Sequence, residues 1–483
     1  MKKNVVTRFA PSPTGYMTLG NLRTCLYEFL IAKHAGGKFI LRIEDTDRNR
    51  FVADSEQVIF DTLHACHLDY DEGPDIGGPH GPYRQSERLD IYMDYAKQLI
   101  SMGKAYYCFC SNEEKKVEPG EFTMHHCDCD KLSKEKIEQN LKTKPWVIRF
   151  KSPNDDGSTT YHDNVFGDIT VSHKEMYDIV LIKSDGYPTY NFCHIIDDHL
   201  MGVTHVQRGN EYLMATALYT LIYKAFGWPL PEYYHLPMIM TIDKETGKIV
   251  KFSKRNGSMA FRDLVALGYL PEALINYIAL LGWHLGGSDE EFFTLDELIK
   301  VFDASDIRKS SSVFDYEKLK WMNAKYLSNM DLKQFYAVAK PFIEKVLTRE
   351  VNMDALLKLI QPRVQILSEI PEKIGFFEKM PDFDINLLAN DKKKTTLESS
   401  KKILTESIKV LEKVDNWQND VLFTALNEMA NGLGEKAMSV MWVIRLAVSG
   451  SVVTVGGATE IMEVLGKKES LARLDKILSI LDK

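Results

Sequence analysis

Two stretches of this sequence carry residues suited to a phosphate chain. The segment Arg8-Phe9-Ala10-Pro11-Ser12-Pro13-Thr14-Gly15 continues to Gly20 and Asn21, and its part from Pro11 to Gly20 lies at the junction of a short β-branched run and a helically spaced apolar run. At such a strand-to-helix junction main-chain N–H groups face an anion, and Gly15 and Gly20 let the backbone approach a nucleotide closely. Far downstream, Lys251-Phe252-Ser253-Lys254-Arg255 brings two ammonium groups, Lys251 and Lys254, into one short connection. There they can neutralise charge on a triphosphate as it is attacked. Either motif alone fits a surface turn; the pair, in one chain, points to nucleotide chemistry.

A third cluster suits a metal. Four of the seven cysteines, Cys108, Cys110, Cys127 and Cys129, fall in one short window. Two Cys-x-Cys pairs can offer four thiolates to a tetrahedral Zn²⁺, and a structural zinc site is expected, with His125 or His126 replacing one thiolate as a variant. Cys25, Cys66 and Cys193 are isolated and read as small core residues.

The elements that must position these groups follow from periodicity. Val5–Phe9 predicts a strand, Leu19–Lys33 a helix and Lys38–Ile43 a second strand ending at the acidic Glu44-Asp45-Thr46-Asp47 turn, a βαβ order that implies a parallel sheet. Helices are predicted over Ser55–Ala65 and Glu87–Met102. From Tyr106 to His173 the pattern breaks into short strands, the cysteine window and loops, which predicts an insertion. Strands at Ile179–Lys183, Thr204–Arg208 and Tyr233–Met240, with a helix over Glu211–Phe226, are expected to complete the sheet. From Arg262 onward the pattern is helical, and the lysine-rich 391–394 stretch is expected to be an exposed linker between two helical bundles.

Composition bounds the class. A chain of 483 residues exceeds one ordinary core, so several domains are expected. No apolar run is long enough to span a membrane, and the first residues lack a signal-peptide pattern, so a cytoplasmic protein without membrane contact is expected. The net charge of -8 argues against indiscriminate coating of nucleic acid and leaves room for a local basic face that reads one shaped RNA.

Taken together, Arg8–Gly20, the Leu-Arg-Ile-Glu-Asp-Thr-Asp run at 41–47, Tyr70–Arg88, Thr189–Gly209 and Lys251–Gly257 resemble the signatures of bacterial glutamyl-tRNA synthetases, and the resemblance covers essentially the whole chain. It implies an α/β Rossmann-type class I synthetase core with an inserted acceptor-binding subdomain, followed by all-α anticodon-binding domains. The implied divisions are 1–105 and 176–260 for the two halves of the core, 106–175 for the insertion, 261–330 for a stem-contact domain, and 331–390 and 391–483 for two anticodon-binding bundles.

The resemblance also implies roles. The catalytic set is Thr18, Gly20, Asn21, Lys251 and Lys254, and the ATP set is Pro11, Ser12, Gly20, Lys251, Ser253 and Lys254. Glutamate falls to Arg8, Ala10, Ser12, Glu44, Tyr190, His194 and Arg208. Two arginines can fork onto the substrate carboxylates while Glu44 and the Ser12 hydroxyl receive the ammonium group. Thr18 stands where the family's HIGH motif begins with histidine, and His194 where the family usually has asparagine. The implied reaction joins L-glutamate to tRNA(Glu), and to tRNA(Gln) as a further acceptor, with ATP and Mg²⁺, by a monomer. The rival readings are a catalytically weakened paralogue that binds tRNA or nucleotide, and a glutaminyl-tRNA synthetase, which Arg8 disfavours because it suits an acid better than an amide.

Overall fold

The computed structural model describes residues 4–47, 52, 54–110, 127–243, 245–252 and 259–482. The chain forms two compact units, one of Met1–Leu264 with Leu274–Asp315, the other of Val265–Ala273 with Tyr316–Lys483.

In the first unit β1 (Val6–Phe9) and β2 (Lys38–Leu41) pair in parallel around α1 (Leu19–His34), the expected βαβ opening. The helices α2 (Ser55–Ala65) and α3 (Leu89–Ser101) follow as predicted. An antiparallel sheet then forms from β3 (Ala105–Cys108), β4 (Val147–Phe150) and, later in the chain, β7 (Val180–Ile182), with α4 (Lys134–Thr143) between β3 and β4. After β5 (Ser158–Asp163) and β6 (Gly167–Ser172) come α5 (Tyr190–Leu200), β8 (His205–Gly209), α6 (Leu213–Phe226) and β9 (Glu232–Leu236). β8 and β9 run parallel, and the Thr204 N–H reaches the Val6 carbonyl at 2.9 Å, which sets β8 beside β1. Thus the C-terminal ends of β1 and β8 open side by side, where ligands of parallel sheets bind.

Three details differ from the sequence reading. The strand at 180–182 belongs to the insertion's antiparallel sheet rather than to the parallel one, because apolar periodicity marks a strand without naming its partner. The strand expected over Tyr233–Met240 breaks at Pro237, which has no N–H to donate, leaving β9 and β10 (Ile239–Ile242). β10 pairs with β11 (Ile249–Lys251) and β12 (Ser312–Val313). Helix α4 was hidden because it is polar nearly all round, with Asn140 its one buried side chain; Ser133 caps it by accepting from the Lys136 N–H.

The rest is helical, as expected: α7 (Phe261–Ala266), α8 (Pro271–Ala279), α9 (Leu295–Val301), α10 (Tyr316–Asn329), α11 (Leu332–Ile343), α12 (Met353–Ile360), α13 (Ile370–Glu378), α14 (Leu397–Leu411), α15 (Asn419–Leu433), α16 (Ala437–Ser449) and α17 (Ala458–Leu481). In the second unit one apolar core runs from Leu270 through Phe377 and Leu404 to Ile477. The lysine stretch is therefore not a linker between separate cores. Asp391–Lys393 forms a tight turn, and the Ser439 hydroxyl donates to the Lys393 carbonyl at 2.6 Å.

Candidate active site

Backbone pairing builds the first wall of the site. Beyond the ends of β1 and β2 the ladder continues, with the Arg42 N–H on the Phe9 carbonyl at 2.9 Å and the Glu44 N–H on the Pro11 carbonyl at 3.0 Å. Pro11 and Pro13 have no N–H of their own, so the chain leaves the sheet and turns at Thr14–Gly15, where Gly15 takes φ 130°, a region L side chains rarely adopt. Glu44 is thereby fixed against Ala10 and Ser12. A cavity of about 670 Å³ opens there, lined by Arg8, Ala10, Pro11, Ser12, Glu44, Tyr190 and Arg208 among others. Six of the seven residues expected to hold glutamate thus share one wall.

The seventh, His194, stands behind that wall. One helical turn after Tyr190, it is buried, and its Nδ1–H donates to the Tyr190 carbonyl at 2.5 Å. Its Nε2 faces Arg208 Nη1 at 3.4 Å, which assigns the neutral Nδ1–H tautomer. Burial, together with the charge of Arg208, pushes its pKa down to about 3, so it brings no positive charge to the site.

Below the cavity lies a buried ionic lattice. Arg8 pairs with Asp198 through Nε at 3.0 Å and with Glu28 through Nη1 at 2.9 Å. Arg42 reaches Asp198 at 2.8 Å and Glu44 at 3.1 Å, while Asp197 takes Arg88, Tyr92 and Gln85, each at 2.8 Å. Ions this deep persist only when their remaining lone pairs and protons are also engaged. Burial alone would raise the Asp198 carboxyl, but Arg8 and Arg42 outweigh it and hold it at about 2. Burial wins at Glu44, pushing it up to about 7 against the pull of Arg42 and Arg8.

Arg208 is treated differently. Its guanidinium donates to neutral atoms, Thr216 Oγ1 at 2.7 Å and His235 Nε2 at 3.2 Å, and sits over the rings of Tyr212, Tyr219 and Tyr233 at 5.1 to 5.6 Å. Among the described residues no carboxylate pairs with it. A buried cation so placed has electrostatic room for an anionic ligand.

A second cavity of about 320 Å³ is lined by Thr18, Gly20, Asn21, Arg23, Lys251 and Phe252 among others. Asn21, Thr24, Gly209 and Glu211 line both cavities, so their ligands would lie against each other. Thr18 is the N-cap of α1, its hydroxyl accepting from the Asn21 N–H at 3.2 Å. Ser253 and Lys254, expected here, lie outside the described residues.

In the insertion, the four cysteine sulfurs lie within 4.8 Å of one another, with Cys108 and Cys127 at 3.7 Å and Cys110 and Cys129 at 3.8 Å. A tetrahedron with Zn–S bonds of about 2.3 Å has edges of about 3.8 Å, so the thiols fit that ion. His125 and His126 lie outside the described residues.

Comparison with known proteins is consistent with this geometry. Residues 4–321 match the family described as tRNA synthetases class I (E and Q), catalytic domain, and residues 334–478 match an anticodon binding domain. The chain is 48% identical over 479 residues to a glutamate-tRNA ligase of Clostridium novyi, covering 98% of this chain and 97% of that one. The chain belongs to the glutamate-tRNA ligase family. A similar ligase from Clostridium tetani is also 48% identical, with 97% and 96% covered. A glutamate tRNA ligase from Elizabethkingia meningosepticum, solved in complex with its amino acid, superposes with a TM-score of 0.89 at 34% identity, covering 99% of this synthetase and all of that chain.

Sequence reasoning missed several residues of this synthetase that shape the cavities. Arg42, Asp197 and Asp198 were passed over, although Tyr190, His194, Asp197 and Asp198 share one helical face. Glu28 was the more legible omission. It is a lone charge inside Leu26-Tyr27-Glu28-Phe29-Leu30, and a charge in an apolar helical run needs a buried partner.

Proposed function

We propose that this chain activates L-glutamate with ATP and Mg²⁺ and transfers it to the 3′ end of tRNA(Glu), and to tRNA(Gln) as a further acceptor, working as a monomer. The observation that carries this reading is Arg208: a buried guanidinium without a carboxylate of its own among the described residues, in a cavity that also holds Glu44 and Ser12 and abuts a second cavity lined by Lys251. Arg208 and Arg8 take substrate carboxylate oxygens, and Glu44 and Ser12 take the ammonium group. An α-carboxylate oxygen attacks the α-phosphorus of ATP, the bond to pyrophosphate breaks, and glutamyl adenylate forms. A terminal ribose hydroxyl of tRNA then attacks the activated carbonyl and AMP leaves.

No side chain need move a proton in the first step, so rate comes from alignment and charge neutralisation. Lys251, and Lys254 in the same motif, answer the charge on the leaving phosphates. Thr18 occupies the position that the resemblance gives to a histidine. With its oxygen capping α1, it offers one hydroxyl proton to a phosphate and no charge. The cysteine cluster would hold a Zn²⁺ that braces the insertion.

Charging of total tRNA with labelled glutamate tests the reading, with Thr18→His beside the unmodified protein. Charging by both supports it, with Thr18→His the faster. Charging by the variant alone supports the weakened paralogue, and charging by neither overturns the assignment.

A further inference from the structure

Arg208 is set by partners that are themselves set. Its Nε–H donates to His235 Nε2 at 3.2 Å, its Nη1 faces His194 Nε2 at 3.4 Å, and its Nη2 donates to Thr216 Oγ1 at 2.7 Å. A neutral imidazole accepts at Nε2 only while Nδ1 carries the proton. For His194 the Tyr190 carbonyl holds that proton in place. For His235 the partner is Asp163, whose Oδ2 accepts from the His235 Nδ1–H at 2.7 Å and from its main-chain N–H at 3.0 Å. The other oxygen, Oδ1, accepts from the Val165 N–H at 3.0 Å and the Phe166 N–H at 2.8 Å. Four N–H groups thus converge on one buried carboxyl, which can neither turn nor present a donor to the imidazole. Strand register brings the three residues together. β9 lies between β5 and β8, its ladder with β8 sets His235 beside Arg208, and Asp163, the last residue of β5, pairs with Tyr233 of β9.

We infer that Asp163 is a positioning residue for the amino-acid site: it fixes His235 in the Nδ1–H tautomer, and the bare Nε2 then holds the guanidinium of Arg208 at the cavity wall. The inference rests on the proposed reading of the cavity as the glutamate site. Neither Asp163 nor His235 lines that cavity, so both act on a ligand through Arg208. With the proton on Nε2 instead, two N–H groups would point at each other and Arg208 Nε would lose its acceptor. Which imidazole nitrogen carries the proton is decided by the hydrogen bond that the other ring nitrogen makes. Burial, with Arg208 close by, lowers the pKa of His235 although Asp163 raises it, so the ring stays neutral. A carboxylate set directly on Arg208 would compete with an anionic ligand. An interposed neutral imidazole orients the guanidinium and leaves its charge for the substrate.

The test combines charging of total tRNA with labelled glutamate, glutamate and ATP being varied in turn, and nitrogen NMR of protein carrying isotope-labelled histidine. The unmodified protein is compared with Asp163→Asn, His235→Phe and His235→Gln, and the signals lost in His235→Gln identify those of His235. In Asp163→Asn the new NH₂ group meets N–H groups on either side. Toward His235 only one of the two is main chain, and the imidazole can shift its proton, so that orientation is favoured. The expected results are a proton moved to His235 Nε2 and a KM for glutamate raised about tenfold, the scale of one hydrogen bond to a charged group, with KM for ATP unchanged. An imidazole that keeps its proton on Nδ1 in the variant, or the two KM values rising together or not at all, overturns the inference while leaving the reading of the cavity intact. So does a proton on Nε2 in the unmodified protein. Should Asp163→Asn not fold, the His235 pair decides. His235→Phe removes the acceptor, whereas the amide of His235→Gln keeps an acceptor for Arg208 and a donor for Asp163 and should give the lower KM for glutamate. Equal KM values for the pair overturn the inference. No charging by the unmodified protein overturns the reading of the cavity, and the inference with it.

Discussion

The imidazole of His194 stacks on the ring of Tyr190, their centroids 4.6 Å apart and their planes inclined by 18°. The same imidazole makes an edge contact with Tyr219, whose ring lies beneath Arg208. His194 thus joins two residues of the cavity wall without lining the cavity itself. It is thereby positioned to hold Tyr190 and Arg208 in place.

That role predicts a graded response. His194→Ala removes the stacking and the acceptor for Arg208, so KM for glutamate should rise about tenfold, the cost of loosening a positioned contact. His194→Asn keeps a polar side chain near Arg208 and should fall between the two. Because His194 is held neutral down to about pH 3, neither variant should change the pH profile of KM between pH 6 and 8. Steady-state exchange at several pH values checks both statements.

Glu44 predicts a pH dependence of its own. Burial lifts its carboxyl to about 7, so in the free cavity it is mostly protonated at pH 6 and mostly ionised at pH 8. A substrate ammonium group needs the ionised form and pulls the pKa down again on binding. Affinity for glutamate should therefore rise by about tenfold from pH 6 to pH 8 and flatten above, by linkage between the proton and the ligand. Calorimetric titration across that range measures it. Glu44→Gln should bind weakly at every pH and show no such rise.

Much of this site was legible because its motifs sit at ends of elements. Arg8, Ser12, Glu44 and Arg208 follow or end strands whose apolar pattern is plain, and a parallel sheet gathers those ends at one edge. What could not be read was pairing. The two carboxylates on Arg8 come from α1 and α5, separated from it by 20 and 190 residues, and no local pattern states that they meet. The partner of β7 was missed for the same reason. That His194 stands behind the ring of Tyr190 could not be read either, because helical spacing fixes the face of a helix and not the depth of a side chain behind another. Glu28 was visible as a lone charge in an apolar helix, although its partner was not.

The cysteine cluster predicts metal-dependent stability. With sulfur separations of 3.7 and 3.8 Å, the four thiols are placed for one tetrahedral ion. Purified protein should contain about one zinc per chain, and chelation or Cys108→Ser should lower the melting temperature, since the energy of binding a structural metal is folding energy. Glutamate-dependent exchange should survive better than tRNA charging, because the cluster lies in the insertion and not in either cavity wall. Metal analysis showing no zinc, with Cys108→Ser as stable as the parent, would refute the zinc assignment.

The surroundings of Arg208 predict that its shape matters as much as its charge. Three tyrosine rings flank the planar guanidinium, and two neutral acceptors, Thr216 and His235, take its hydrogen bonds in different directions. A lysine keeps the charge but cannot fork or stack in that way, so the exchange is not conservative here. Arg208→Lys should raise KM for glutamate by about 10²-fold, the order expected when a buried bidentate charge contact is reduced to a point charge. KM for ATP should change little, since Arg208 lines only the larger cavity. Exchange kinetics with each substrate varied in turn separate the two constants. Equal increases in both would mean that Arg208 supports the whole cleft, and glutamate would then have to be held chiefly by Arg8, whose own partners already include Glu28 and Asp198.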